Sequence, residues 1–227
     1  MSRLGRPRLH LRSIGSTNAR ARELAQAGAP HGTAVTADEQ TAGRGRQGRG
    51  WSTPPGSALA VSLVIRDPDP LLSLRAGLAV ADIAGEGARV KWPNDVLVDG
   101  RKIAGVLVEG RPQEGWAVLG IGVNAALDLA VLPEELRATA GTLGLRPREL
   151  PRALATLLEC LDARLGEPPG ATLAALRGRD ALANRPVRWE GGEGTGAGIA
   201  DDGSLLVRDG AGALHALGAG EVHLRTG

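Results

Sequence analysis

Two lysines stand out in this 227-residue chain, because all the rest of its 27 basic residues are arginines. They are Lys91 and Lys102, and both lie within one window of twelve residues. Ammonium and guanidinium groups differ in geometry and hydration, so a lysine retained in an arginine-rich chain indicates a position that arginine does not fill. This window is therefore the first place where we expect chemistry.

The segment that begins at Lys91 reads Lys-Trp-Pro-Asn-Asp and ends at Asp95. Pro93 ends a strand and Asn-Asp suits a turn, so an ammonium, an amide and a carboxylate meet at a strand end, where binding sites concentrate. The amide of Asn94 can read the edge of adenine, and the carboxylate of Asp95 can hold Mg²⁺. The alternative interpretation is an ordinary strand-turn-strand.

A basic loop precedes this segment, and its residues 43–51 read Gly-Arg-Gly-Arg-Gln-Gly-Arg-Gly-Trp. Glycines let the backbone approach a ligand and offer its N–H groups, while guanidinium groups bind phosphate in a bidentate manner. The loop therefore predicts an anion site for a nucleotide or a nucleic acid; a solvated basic turn or an RNA-binding Gly/Arg segment is the alternative. Trp51, which ends the loop, either stacks on a base or anchors the loop.

Small residues recur in two strand candidates further along the chain. Ala104 and Gly105 follow Lys102, whose ammonium either reaches solvent at the strand end or faces a ligand in a partly buried pocket. Gly120 and Gly122 alternate in the second strand, which clears one face of a sheet so that a flat ring can lie on it. The alternative for each strand is a helix that crosses the glycines.

The elements around these segments predict an α+β fold. Helices are expected where periodicity and capping residues coincide, at 19–27 after an N-cap at Ser16-Thr17-Asn18, and at 71–83, 133–140, 149–165 and 173–182. Strands are expected in an antiparallel meander, at 33–38, 59–65, 89–92, 96–98, 101–109 and 116–123. Five short strands follow residue 184 and favour a small barrel, at 187–189, 196–200, 205–208, 214–217 and 222–224.

Composition narrows the class of protein further. The net charge of +2 is unlike that of a typical nucleic-acid-binding protein, although a pI of 9.3 keeps nucleic-acid binding open. The single cysteine, Cys160, excludes a disulfide within the chain and suits a reducing compartment. The sequence has neither a secretory signal nor a run of about 20 apolar residues, so we expect a cytoplasmic protein. Its four histidines show no metal-ligand spacing.

Taken in order, these segments resemble the motifs of the biotin protein ligase family over nearly the whole chain. The matching segments are Ser16-Thr17-Asn18, Gln40, the Gly-Arg-Gly-Arg sequence at 43–46, Lys91 to Asp95, Arg101 to Gly105, Gly122-Val123-Asn124 and Asn184 to Val187. The resemblance implies a class II synthetase-like catalytic domain at 1–182, with a mixed or antiparallel sheet flanked by helices, and a C-terminal SH3-like β-barrel at 183–227. About a dozen residues precede the first motif, so we expect a short form that lacks the N-terminal DNA-binding domain of some relatives.

The resemblance also implies an activity and a role for each matching residue. Members of the family make biotinyl-5′-AMP from biotin and MgATP, and then transfer biotin to one lysine of a carrier protein. By resemblance, Lys102 and Arg46 are the catalytic residues, with Lys102 between the biotin carboxylate and the α-phosphate. The biotin-binding residues implied are Ser16, Thr17, Asn18, Gln40, Arg44, Gly45, Arg46, Lys102, Gly105, Leu107, Gly120 and Gly122. The ATP-binding residues implied are Arg46, Trp51, Lys91, Asn94, Asp95, Lys102 and Asn124, with Asp95 the candidate ligand if the protein itself holds Mg²⁺.

The implied partner is a biotin carboxyl carrier protein, with no DNA and no membrane partner. A homodimer through exposed edge strands is left open. A lipoate or octanoyl ligase is the nearest rival, because it too acylates a carrier lysine, but the Gly-Arg loop and the Lys-Trp-Pro-Asn-Asp segment favour biotin. A DNA-binding regulator and a non-enzymatic RNA-binding protein are the rivals from other classes.

Overall fold

The structure, a computed structural model, describes residues 4–51, 54–218 and 222–224. In these ranges the chain forms twelve β-strands and five α-helices. The strands are β1 (Arg8–Ile14), β2 (Ala34–Gln40), β3 (Ala58–Arg66), β4 (Arg89–Lys91), β5 (Asp95–Val98), β6 (Arg101–Arg111), β7 (Trp116–Asn124), β8 (Pro186–Trp189), β9 (Gly192–Ile199), β10 (Leu205–Asp209), β11 (Leu214–Leu217) and β12 (His223–Leu224). The helices are α1 (Thr17–Gln26), α2 (Leu72–Ala84), α3 (Glu134–Arg137), α4 (Leu150–Gly166) and α5 (Pro169–Gly178).

Seven strands form one mixed sheet in the order β1-β2-β3-β7-β6-β5-β4. The pair β1–β2 is parallel, and the other neighbouring pairs are antiparallel. The central strands β3 and β7 are buried almost throughout, because helices cover both faces of the sheet at this point. Burial on both faces explains why these strands read as continuous apolar runs in the sequence.

The two faces of the sheet are packed differently. Helices α2 and α4 cover one face and form the main core with it, where Leu78, Leu119 and Leu161 are fully buried. Helix α1 lies on the other face over a small apolar cluster that includes Ala21 and Val118. Because α1 is short, it covers only part of this face and leaves the rest for a ligand cavity.

Five further strands form an antiparallel sheet in the order β11-β10-β9-β8-β12. Its inward side chains, among them Val187 and Leu205, belong to the same core as the first sheet. The Trp92 indole Nε1 also donates a buried hydrogen bond of 3.0 Å to the carbonyl oxygen of Gly203, in the turn before β10. In the described part of the chain, β11 and β12 are the two edge strands of this sheet and do not pair with each other. The C-terminal sheet is therefore open, and its closure into a barrel stays a prediction.

The α+β class is confirmed, and most predicted elements lie within one or two residues of their expected ends. The strand β1 was not predicted, because its sequence Arg-Leu-His-Leu-Arg-Ser-Ile is dominated by polar side chains. These side chains are tolerated because β1 is an edge strand that pairs with β2 alone. Within the described ranges, no helix is both long and apolar enough to cross a bilayer.

Two predicted helices were placed wrongly. The helix at 133–140 is reduced to α3, because Lys102 pairs with the chain beyond it: its N–H donates to Thr139 O over 2.7 Å and its carbonyl accepts from Gly141 N over 2.8 Å. The helix expected at 173–182 is α5, which begins at Pro169 and ends at Gly178. Proline is well suited to the first turn of a helix, because the N–H that it lacks has no partner there.

The Trp92–Gly203 hydrogen bond predicts that Trp92→Phe destabilises the protein by about 1–3 kcal/mol, because a buried carbonyl loses its donor. Urea denaturation measures the change in the free energy of unfolding. Trp189→Phe, at a partly buried indole of β8, is the matched control. An equal loss in both variants would contradict the importance of this hydrogen bond.

Candidate ligand cavity on the open face of the sheet

A wall of polar side chains begins at the N-terminus of α1. Ser16 is the N-cap residue and accepts the N–H of Ala19 over 3.4 Å. Thr17 donates both its backbone N–H and its hydroxyl to Gln40 Oε1, over 2.8 and 2.9 Å. Ser16 and Thr17 are buried, so the helix start presents polar groups to the cavity instead of to bulk solvent.

The same wall continues through Asn18 to residues that the sequence had not indicated. Asn18 Nδ2 donates to Glu109 Oε2 over 2.8 Å, and its Oδ1 lies 2.6 Å from the hydroxyl of Ser62. The second oxygen of Glu109 accepts from Arg22 Nη2 over 2.7 Å. Asn18 packs directly on Gly120, where a Cβ would come within 2.1 Å of the amide oxygen. No local motif marks Ser62 or Glu109, because they meet Asn18 only when β3 and β6 are assembled.

Glycines form the floor of the cavity. Gly105 on β6 and Gly122 on β7 are direct neighbours across the antiparallel pair. The Trp51 indole lies on this floor, since a Cβ on Gly122 would come within 2.6 Å of the ring and one on Gly105 within 3.5 Å. Real side chains essentially never approach to 2.6 Å, so only glycine at position 122 allows the ring to lie here.

A cationic wall faces the polar one. Lys102 Nζ lies 2.6 Å from Asp95 Oδ1, and Lys91 Nζ lies 3.9 Å from Asp95 Oδ2, so one carboxylate serves two ammonium groups. Lys102 Nζ also lies 5.8 Å from the centre of the Trp51 ring, within the range of a cation–π contact. Burial lowers the pKa of Lys91; the Asp95 carboxylate opposes this shift, and the neighbouring Lys102 ammonium adds to it.

The Gly-Arg loop folds over the cavity as a small closed hairpin. Gly45 N–H donates to Arg49 O over 2.7 Å, and Trp51 N–H donates to Gly43 O over 2.9 Å. Arg46 then reaches the wall, where its Nη1 donates to Asn94 Oδ1 over 3.0 Å. Burial lowers the pKa of Arg46, Asp95 counteracts this, and Arg49 adds to the lowering.

The two walls, the glycine floor and the loop enclose a cavity with about 990 Å³ of open space, part of which is continuous with solvent. All but one of the site residues expected from the sequence line it. The exception is Asn124, which is buried and donates to Gly141 O over 3.0 Å, so it holds the chain behind the wall. Trp51, which is expected near the nucleotide, lies on the floor formed by the glycines.

Some lining residues had no role assigned to them from the sequence, although four of them lie within the predicted segments 43–51 and 91–95. They are Arg49, Gly50, Val61, Trp92, Pro93, Val106, Ile121, Val222 and His223. The last two lie at the C-terminal sheet, so that sheet forms part of the cavity wall. Only the folded arrangement of the chain could have revealed this contribution, because about a hundred residues separate them from β7.

The described residues contain no group of three or more His, Cys, Asp or Glu side chains that could hold a metal ion. Asp95 is the carboxylate of the cavity's cationic wall, where it forms ion pairs with Lys102 and Lys91. The described side chains of the cavity therefore do not suit a metal ion held by the protein alone, whereas the cationic wall suits an anion. The cavity thus combines hydrogen-bonding side chains, a floor of glycines in contact with the Trp51 ring, and a cationic wall that suits an anionic group.

Comparison with known proteins identifies the family to which this chain belongs. The sequence model of the Biotin/lipoate A/B protein ligase family matches residues 11–125, which is half of the chain. The Biotin--[acetyl-CoA-carboxylase] ligase of Mycobacterium tuberculosis is 39% identical over 237 residues, which cover 93% of this chain and 86% of the relative. The chain therefore belongs to the biotin/lipoate A/B protein ligase family.

Two further comparisons show how much of this chain and of each related protein the similarity covers. The Bifunctional ligase/repressor BirA of Bacillus spizizenii is 40% identical over 142 residues, 57% of this chain; the match spans 44% of that relative's length. A solved structure, the biotin protein ligase from Aquifex aeolicus in complex with biotin and ATP, has a TM-score of 0.81 and 27% identity. The superposition covers 98% of this chain and 100% of the Aquifex aeolicus chain.

The contact between Trp51 and the glycine floor predicts that Gly122→Ala displaces the indole, because a Cβ would overlap the ring. The fluorescence of Trp51 can be isolated as the difference between a protein and its Trp51→Phe variant. We expect this difference spectrum to move to longer wavelength in the Gly122→Ala background, as the ring leaves its partly buried position. Gly170→Ala, where a Cβ meets no atom within 4 Å, should leave the spectrum unchanged. An unchanged spectrum in Gly122→Ala would show that the ring does not depend on this glycine.

Proposed function

We propose that this protein is a biotin protein ligase, which makes biotinyl-5′-AMP from biotin and ATP and transfers the biotinyl group to a lysine of a biotin carboxyl carrier protein. The observation that carries the proposal is one cavity with a hydrogen-bonding wall at one end, a cationic wall at the other and a glycine floor between them. The names of the relatives from Mycobacterium tuberculosis and Aquifex aeolicus support it.

The polar wall favours biotin over the other substrates of the family. The cyclic urea of biotin has two N–H donors and a carbonyl acceptor, and Thr17 and Gln40 offer hydrogen-bonding atoms at the closed end of the cavity. An octanoyl or lipoyl chain has no N–H or C=O at its far end, so it would cover the remaining hydrogen-bonding capacity of these groups without using it. An unpaired buried polar group costs about 1–3 kcal/mol, which weakens binding of the apolar acids.

The cationic wall suits the first reaction. A carboxylate oxygen of biotin attacks the α-phosphorus of ATP, the bond to the β-phosphate oxygen breaks, and pyrophosphate leaves. The reaction brings two anions together, so its main requirements are alignment and neutralisation of charge. Lys102 and Arg46 lie beside the glycine floor and supply two positive charges there. The protein needs no nucleophile of its own for this step.

The second reaction uses the amine of the carrier lysine. The neutral amine attacks the acyl carbon of the adenylate, the bond to AMP breaks, and the nitrogen loses a proton. Water would destroy the same mixed anhydride. The Gly-Arg loop, closed by its own backbone hydrogen bonds, covers the cavity and keeps water from the adenylate.

We propose that Mg²⁺ enters as part of the substrate MgATP. Asp95 would take a magnesium ion from the triphosphate by exchanging its nearer ammonium partner, Lys102 at 2.6 Å. Such an exchange would release Lys102 towards the phosphate groups. Asn124, which the family resemblance places on the nucleotide side, would act indirectly by holding Gly141 behind the wall.

We also propose the division into a catalytic domain at 1–182 and an SH3-like domain at 183–227. Five short strands in this order support the second domain, and Val222 and His223 join it to the cavity. The carrier protein is the proposed partner. For a homodimer, the edge strand β1 is the candidate surface, since an edge can pair with a second chain.

Direct transfer of label tests the proposal. The protein is incubated with MgATP, labelled biotin and a biotin carrier domain, and the carrier is then examined for covalent label. We expect label on the carrier that depends on ATP and on the carrier lysine. We expect no label on the carrier when labelled octanoate or labelled lipoate replaces labelled biotin. Transfer of octanoate or lipoate instead would assign the protein to the other branch of its family.

Lys102→Ala is expected to reduce biotin-dependent release of pyrophosphate by about 100-fold or more, because it removes a charge from the transition state. The fold should persist, since the side chain is partly exposed. Arg111→Ala removes a cation from the exposed end of the same strand and is the control for loss of charge. A rate near that of the unmodified protein in Lys102→Ala would remove Lys102 from the proposed chemistry.

A further inference from the structure

We propose that Glu109, oriented by Arg22, is a positioning residue that decides which atoms of the polar wall donate and which accept hydrogen bonds. The proposal deepens the proposed function, because it names the group that matches the wall to a cyclic urea. Glu109 acts through Asn18 and Ser62, and it does not line the main cavity itself.

The first step is the orientation of the Asn18 amide. An ionised carboxylate can only accept hydrogen bonds, so Glu109 Oε2 must face the donor nitrogen of Asn18, which lies 2.8 Å away. The amide oxygen of Asn18 is then directed to Ser62, at 2.6 Å. Gly120 is in close contact with this amide, so the amide can exchange its two ends by rotation but has little room to move away.

The second step is the single hydrogen of Ser62. Its hydroxyl lies within hydrogen-bond distance of two oxygens, Asn18 Oδ1 and Thr17 Oγ1, the latter at 2.8 Å. A hydroxyl donates only one hydrogen, and the amide oxygen of Asn18 has no hydrogen to offer in return. The Ser62 hydrogen therefore goes to Asn18, and Thr17 receives none from Ser62.

The third step is the group that faces the ligand. The Thr17 hydroxyl gives its own hydrogen to an acceptor, Gln40 Oε1 at 2.9 Å or Ser62 at 2.8 Å. Because Ser62 donates elsewhere, it takes neither of the two lone pairs of Thr17 Oγ1, and this oxygen keeps its full capacity to accept an N–H from the cavity. The charge on Glu109 thus strengthens Thr17 Oγ1 as an acceptor for one N–H of a cyclic urea, because it directs the Ser62 hydrogen away from Thr17.

Arg22 completes the arrangement from the other side. Its Nη2 donates to Glu109 Oε1 over 2.7 Å, and it can only donate. If Gln replaced Glu109, its amide oxygen would turn to Arg22 and its nitrogen would turn to Asn18. The amide of Asn18 would then have to rotate, and Ser62 would give its hydrogen to Thr17. The polarity of the wall would be reversed without any change in its shape.

The test begins with Glu109→Gln. We expect the KM for biotin to rise about tenfold, because the Ser62 hydrogen then competes with the ligand for Thr17 Oγ1 and weakens one hydrogen bond at nearly constant volume. The kcat and the KM for ATP should change by less than about twofold, since the cationic wall is untouched. A purely structural role would instead lower the unfolding temperature and affect both substrates.

A double variant provides the decisive comparison. When Asn18→Asp is combined with Glu109→Gln, the carboxylate at position 18 accepts from both the new amide at position 109 and the Ser62 hydroxyl, so the original direction of the Ser62 hydrogen returns. The KM for biotin should recover to within about threefold of the unmodified value. Asn18→Asp alone places two carboxylates against each other and should raise the KM by more than about tenfold. Failure of the double variant to improve on both single variants would overturn the proposal.

Glu23→Gln is the matched control, because it removes an exposed carboxylate from α1 that pairs with Arg20. It should leave the KM for biotin unchanged. If Glu109→Gln also keeps the unmodified KM while the unmodified protein adenylates biotin, only the present inference is overturned. If the unmodified protein shows no biotin-dependent release of pyrophosphate, both the inference and the proposed function fall.

Discussion

The cavity depends on a contact between backbone and side chain that only glycine permits. Asn18 occupies the space of a side chain on Gly120, and the Trp51 indole occupies that of a side chain on Gly122. These two contacts bring α1 and the Gly-Arg loop down onto the same sheet. The polar wall, the floor and the cover of the cavity therefore share one origin, which is the absence of Cβ atoms on the open face of β7.

The opposite face of the sheet supplies the rigidity that this arrangement needs. Helices α2 and α4 bury large side chains against it, including Leu119, and the C-terminal sheet adds its own side chains to the same core. The Trp92 indole links the Lys-Trp-Pro-Asn-Asp segment to the turn at Gly203. Lys91 and Asp95, on either side of Trp92, are thus held between two sheets, which fixes the geometry of the cationic wall.

The sequence predicted the parts of the site that are local. Lys102, Asp95 and the Gly-Arg loop could be found because each lies in a short motif whose residue types are unusual. The helix start at Ser16 could be found because its capping pattern is local as well. These segments could be recognised because neighbouring residues along the chain carry the whole pattern.

The rest required the tertiary structure. Glu109 and Ser62 lie in strands that look ordinary in sequence, and their meeting with Asn18 depends on the register of three separate elements. The edge strand β1 was hidden by its polar side chains, and the helix expected after Pro133 was shortened because Lys102 pairs with that segment. Asn124 has the right residue type for a ligand contact, but its amide is used within the protein.

The cationic wall has a further consequence for the kinetics of encounter with ligands. The whole chain carries a net charge of only +2, yet Arg46, Lys91 and Lys102 are concentrated around one carboxylate at one end of the cavity. A local excess of positive charge in a concave surface focuses the electric field and accelerates the association of anions. Both proposed substrates are anions, so their association rates should decrease as ionic strength rises, while an uncharged ligand would arrive at a rate that is insensitive to salt.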